Sequence, residues 1–206
     1  SQDLEVLFAF IPGLKVVTPA SPADAYGLLK AAIRDPDPVL FVEHALLYSV
    51  KGEVPDDPEA LVPLGRSLVR REGRDITLVA HSRGVALALE AANQLAARGV
   101  EAEVVDLRTL RPLDFQPVLS SVRKTHRVVI VEEDWKSYGV GAEVAARLVE
   151  EAFDELRGPV LRVAGAEVPM PYAANLERLA LPQVEQVVER ALQLLQREGN
   201  VAWSSR

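Results

Sequence analysis

Four short stretches of the chain carry side chains able to do chemistry. The first is Ala80-His81-Ser82-Arg83-Gly84. It follows the apolar run Ile76-Thr77-Leu78-Val79 and opens the pattern Gly84 to Arg98. That is where a hydrolase places its nucleophile elbow, with Ala80 here standing where the elbow has glycine. A serine triad needs a histidine downstream, and His126 is the only one after Ser82. His126 precedes its strand, whereas Ser82 follows its own. In parallel strands those are opposite edges of a sheet, roughly 15–20 Å apart for five or six residues. A triad requires hydrogen-bond reach. Ser82 therefore reads as a cap on the helix at Gly84 rather than as a nucleophile.

The second stretch is Glu132-Glu133-Asp134, a carboxylate run suited to a divalent metal or to acid–base work. No second acidic strand end or histidine with matching spacing accompanies it, so a solvated loop facing a partner is expected. The third is Asp35-Pro36-Asp37-Pro38, just past a helix end. The last carbonyls there, at Ala32 and Ile33, lack intrahelical partners and carry partial negative charge. With Asp35 and Asp37 they offer oxygen ligands to a hard cation; an ordinary proline-stopped helix end is the alternative. The fourth is Gly139-Val140-Gly141, which lacks the third glycine of a dinucleotide fingerprint. Close packing at a helix start is its expected task, although such a terminus can accept an anion. Beyond these, Val168-Pro169-Met170-Pro171-Tyr172 is a stiff apolar segment suited to an interface, with core packing an equal alternative. His44 and His126 read as structural.

These groups must be positioned by alternating strands and helices. Val128-Val129-Ile130-Val131 is β-branched throughout and reads as a buried strand. The following helix places Val140, Val144, Leu148 and Ala152 on one face. Ser21-Pro22-Ala23-Asp24 starts an earlier helix that ends near Arg34, between strands at Leu14–Thr18 and Val39–Glu43. Ser67–Arg71 and Ile76–Ala80 are separated by a link so short that antiparallel pairing is expected. Ala102–Leu107 and Val160–Val163 are further strands. Phe115–Lys124, capped by Asp114, and Leu181–Gln196 are further helices. The prediction is a three-layer α/β fold: a mostly parallel five-stranded sheet, one antiparallel edge strand, and helices on both faces. The expected division is 1–47 as the end of one α/β domain, 48–64 as a proline-rich linker, 65–199 as the main domain, and 200–206 as a mobile tail.

The 206 residues are 49% hydrophobic with net charge −7, which gives no electrostatic footprint for nucleic acid. The absence of cysteine excludes disulfides, thiolate metal sites and a cysteine nucleophile. No apolar run has membrane-spanning length, so no membrane role is expected. The chain starts Ser1-Gln2-Asp3 without methionine, as a processed or excerpted piece would.

Five ordered motifs carry a resemblance: Ile11–Val17, Gly27–Asp35, Asp106-Leu107-Arg108-Thr109-Leu110-Arg111-Pro112-Leu113-Asp114, Gly139–Glu143 and Val168–Ala173. Together they resemble the beta subunits of the thiamine-diphosphate-dependent component of 2-oxo acid dehydrogenase complexes, with the pyruvate dehydrogenase members nearest. The resemblance implies the end of a pyrimidine-binding domain followed by a transketolase-type C-terminal domain. It implies an assembly of two alpha and two beta subunits, with thiamine diphosphate between alpha and beta and its diphosphate and magnesium held by alpha. It also implies acyl transfer to lipoamide on an acyltransferase, whose subunit-binding domain docks on the C-terminal domain. Residence would be cytoplasmic as in bacteria, or in the mitochondrial matrix.

The family's activating glutamate and its acyl-transfer histidine match no position here. No catalytic or thiamine-binding residue is therefore expected in this chain, and alone it should be inactive. The family's potassium site maps onto Ala32, Ile33, Asp35 and Asp37. Glu132, Glu133 and the segment Val168 to Tyr172 are the expected interface residues. A free-standing interaction module and a Ser82 hydrolase are the competing readings.

Overall fold

The computed structural model describes residues 4–57 and 59–196; the expected tail at 200–206 lies outside them. The main sheet is built from β3 (Leu68–Arg71), β4 (Ile76–Ala80), β5 (Ala102–Asp106), β7 (Val128–Trp135) and β8 (Leu161–Gly165). Its order is β3-β5-β4-β7-β8, parallel except for β3 at the edge. β4 and the first half of β7 are buried on both faces because helices cover both. Ile76, Leu78, Val129 and Val131 pack under α3 (Gly84–Ala96) and α7 (Val184–Gln196). Val79, Val128 and Ile130 pack under α4 (Gln116–Thr125) and α5 (Val140–Ala152). Strand period two thus sorts the residues of each strand between two cores.

The expected antiparallel strand exists, but its partner differs. β3 pairs with β5 and not with β4. The link between β3 and β4 crosses the start of β5, where Arg74 and Asp75 N–H both donate to the Glu101 carbonyl, at 2.9 and 3.0 Å. Gly73 permits this crossing, since a Cβ there would collide with the backbone of Ala102 and Glu103.

A second, smaller sheet has order β2-β1-β6. β1 (Lys15–Val17) and β2 (Val39–Phe41) are parallel and joined by α2 (Pro22–Arg34), whose Ser21 accepts from Asp24 N–H as foreseen. β6 (Thr109–Arg111) runs antiparallel to β1 and comes from the chain just after β5. The main domain therefore lends a strand to the N-terminal segment. A short helix, α1 (Glu5–Ala9), precedes β1, and α6 (Ala174–Ala180) precedes α7. No helix among the described residues is long and apolar enough to cross a membrane.

Two expected caps are corrected. Asp114 does not cap α4; its carboxylate accepts from Ser67 N–H at 3.3 Å. Ser82 makes no side-chain cap to α3, because it adopts left-handed backbone (φ 48°) ahead of the helix.

Candidate functional site

The chain passes from β4 leftward to β5, then returns to place β7 on the other side of β4. The strand order reverses between β4 and β7. Ligand crevices of open α/β sheets form at this kind of switch point, beyond the strands' carboxyl ends. His81, Ser82 and Arg83 leave β4 there, and Glu132, Glu133 and Asp134 end β7.

The acidic run is not a solvated loop. It continues β7 to Trp135, and Glu132 and Asp134 are buried. Period two separates its members. Glu132 accepts from Gly141 N–H at 2.6 Å and from Arg162 Nε at 2.8 Å. Asp134 accepts from Val140 N–H at 3.3 Å. Both carboxylates thus serve the first amides of α5, where they complement the helix dipole. The anion-accepting alternative for Gly139-Val140-Gly141 is overturned, because the protein's own acids fill that place. Gly141 is required there, since a Cβ would strike the Glu132 carboxylate.

Glu133 points the other way. It binds His44 Nε2 at 2.7 Å and pairs with Arg83. Leu46 N–H donates to His44 Nδ1 at 3.2 Å, so Nδ1 is the acceptor and Nε2 carries the proton given to Glu133. Burial pushes the Glu133 carboxyl up, but the His44 hydrogen bond and the Arg83 charge outweigh it, and the group sits below the ordinary carboxylate range. Glu5 of α1 meets His81 Nε2 at 3.0 Å. There too burial pushes the carboxyl up and the His81 bond wins, for a net lowering.

Both histidine–carboxylate pairs join the N-terminal segment to the main domain. A third junction is a buried ion cluster. Arg70 of β3 pairs with Asp24 of α2 and, at 2.8 Å, with Asp106 of β5. Arg108 reaches Asp24 at 2.7 Å. Burial pushes the Asp106 carboxyl up against the opposing pull of Arg70.

The other expected residues stand as follows. Asp35 and Asp37 come together around Lys15, whose Nζ lies 2.7 Å and 3.0 Å from their oxygens. Ala32 O accepts from Asp35 N–H at 3.3 Å, and the Ile33 side chain is exposed. An ammonium of this same chain thus holds the side chains that a potassium ion would draw. Val168, Pro169 and Tyr172 are exposed, while Met170 and Pro171 are half-buried, so the segment is not core beneath β8. His126 sits at the opposite sheet edge from Ser82, with Nδ1 2.9 Å from the Glu155 carbonyl. A triad between them is excluded.

Sequence reasoning missed Glu5, His81, Arg83, Asp24, Arg70 and Arg108, and left His44 without its partner. The available signal was position: His44, His81 and Glu132–Asp134 each directly follow an apolar strand.

The switch point does not fit a diphosphate. The carboxylates of Glu5, Glu132 and Glu133 already hold its basic groups, His81, Arg162, His44 and Arg83, and the amides of α5 that could bind phosphate are taken by Glu132 and Asp134. Beside it, α1, the β6 loop and the start of α5 enclose an open, mainly apolar groove of about 1020 Å³, walled by Leu7, Phe10, Pro112 and Tyr138.

Comparison with known proteins agrees with this architecture. The family model described as "Transketolase, C-terminal domain" matches residues 65–187, and "Transketolase, pyrimidine binding domain" matches 1–51. The chain is similar to the pyruvate dehydrogenase E1 component subunit beta-2, mitochondrial, of Oryza sativa subsp. japonica, at 52% identity over 93% of this chain and 52% of that protein. It is 52% identical to the mitochondrial E1 beta subunit of Drosophila melanogaster over 95% of this chain and 54% of that one. The Rhizobium meliloti E1 beta subunit is 50% identical over 92% and 41% respectively. The chain thus spans about half the length of the curated relatives it matches. A solved split-gene transketolase, described as an inactive beta4 tetramer, superposes with TM-score 0.74 at 30% identity, covering 93% of this chain and 60% of that one. With more than half of its residues matched by that C-terminal model, the chain belongs to the transketolase C-terminal domain family.

Proposed function

We propose that this chain is a beta-subunit portion of a pyruvate dehydrogenase-type 2-oxo acid dehydrogenase, working with an alpha subunit in oxidative decarboxylation and acyl transfer to lipoamide. The observation that carries the proposal is about half identity to E1 beta subunits sustained over more than nine-tenths of the chain. The structure contributes a physical reason. The switch-point crevice is closed by internal ion pairs and does not suit a diphosphate. Thiamine diphosphate and magnesium would accordingly be held by other polypeptide, and the task of these residues is to fix one domain against the other and to present surface. When bound, the cofactor would supply the nucleophilic carbon and the electron sink that decarboxylation of a 2-oxo acid needs.

The exposed segment Val168, Pro169 and Tyr172, with half-buried Met170 and Pro171, is our proposed contact for a second beta subunit or for the acyltransferase's subunit-binding domain. Leu176 and Leu179 of α6, the next element in the chain, are also exposed. Ala32, Ile33, Asp35 and Asp37 are a potassium site only if the ion displaces Lys15 from the two carboxylates. We assign residues 1–47 to the pyrimidine-binding domain, 48–64 to the linker and 65–199 to the C-terminal domain. Residence in the mitochondrial matrix or the bacterial cytoplasm would follow the relatives.

The test is co-expression of the full-length gene product with its alpha partner, followed by assay of pyruvate-dependent decarboxylation. Copurification and activity are expected. Failure of the two to associate, or activity without alpha, would reject the reading.

A further inference from the structure

Three groups from three separate elements converge beneath the switch point. Glu5 opens α1, His81 leaves β4, and Asp134 lies near the end of β7. Their ligand atoms all lie within 4.8 Å of one another. All three residues are buried, at 3%, 4% and 4% exposure. His81 and Asp134 meet because both follow the sheet face that packs on α4 and α5, the face of Thr77 and Val79 in β4 and of Val128 and Ile130 in β7. We infer that Glu5, His81 and Asp134 form a binding site for one divalent first-row transition ion.

Two carboxylates and an imidazole converging from three elements form a donor set for a cation rather than for a neutral ligand. The donor set argues for the kind of cation. Magnesium and calcium take oxygen ligands, whereas an imidazole with carboxylates suits zinc, cobalt or manganese. Distance agrees as well. Glu5 Oε1 and His81 Nε2 are 3.0 Å apart, and bonds of about 2.0–2.1 Å to one ion place neighbouring ligand atoms about 3 Å apart. On binding, the proton shared between Nε2 and Oε1 leaves to solvent, and each atom takes up a bond to the metal. Asp134 keeps its second contact, since Oδ2 accepts from Val140 N–H and so aims the carboxylate.

The ion would be structural. It would tie the N-terminal segment to the main domain at a place where a hydrogen bond joins them now. This inference does not depend on the proposed dehydrogenase role.

The experiment is titration of the metal-free chain with Co²⁺, read by visible absorption, and with Zn²⁺, read by calorimetry, with Mg²⁺ as the control. One Co²⁺ per chain with low-symmetry ligand-field bands is expected, together with Zn²⁺ competition and no response to Mg²⁺. His81→Ala and Glu5→Gln should each lose affinity by about tenfold or more. Glu5→Gln preserves shape, and circular dichroism of each variant reports folding separately. His126→Ala removes an imidazole at the far sheet edge and should bind as the parent does. No stoichiometric binding, or binding unchanged in folded Glu5→Gln and His81→Ala, would overturn the assignment.

Discussion

The two parts of this molecule solve the burial problem differently. The C-terminal domain covers both faces of a five-stranded sheet with its own helices, and Leu78, Val129 and Leu95 are fully buried. The N-terminal segment has only short strands, borrows β6 to extend its sheet, and leaves Phe10, Ile33 and Leu7 exposed by 84%, 75% and 62%. The difference teaches where stability resides: in one part in a closed core, in the other in its attachment to that core.

Breaking the attachment should show the largest effect. Arg70→Met leaves the buried carboxylates of Asp24 and Asp106 without their shared cation, and should cost about 3 kcal/mol or more in urea unfolding. A loss below about 1 kcal/mol would mean that the cluster does not fasten the segment. Leu78→Ala, in the closed core, should cost about 2–5 kcal/mol. Ile33→Ala on the open segment should change stability by about 0.5 kcal/mol at most. Equal losses from those two substitutions would erase the distinction.

A smaller effect is expected from acid. The folded carboxyls of Glu5 and Glu133 lie below their ordinary value of 4.5. Their contribution is complete above that value and is lost as pH falls through the lower folded values. Denaturant midpoints measured from pH 6 down to pH 3 should fall, and Glu133→Gln should flatten part of that fall. Smallest of all is Ser82→Ala. It should leave stability unchanged, and fluorophosphonate should not label Ser82 in the parent chain.

Much of the fold was legible because helix and strand periods are strong here. Val140, Val144, Leu148 and Ala152 are all buried, as their spacing requires. The partner of β3 was not legible, because a four-residue link ordinarily makes a hairpin, and only the contact of Gly73 with β5 shows that it crosses instead. The acidic run misled for a related reason. Composition alone reads three adjacent acids as solvated, yet alternation along a strand sends Glu132 and Asp134 to the amides of α5 and Glu133 to His44 and Arg83. Those partners lie up to 89 residues away in sequence, a separation that no local pattern spans. The same holds for Lys15, which lies 20 residues before the Asp35 it neutralises.

Calorimetric titration of thiamine diphosphate with Mg²⁺ into this chain alone tests most directly whether its crevice is filled by structural ion pairs instead of a cofactor. The account predicts no saturable heat. Stoichiometric binding, abolished by substitutions at His81 or Arg83, would contradict it.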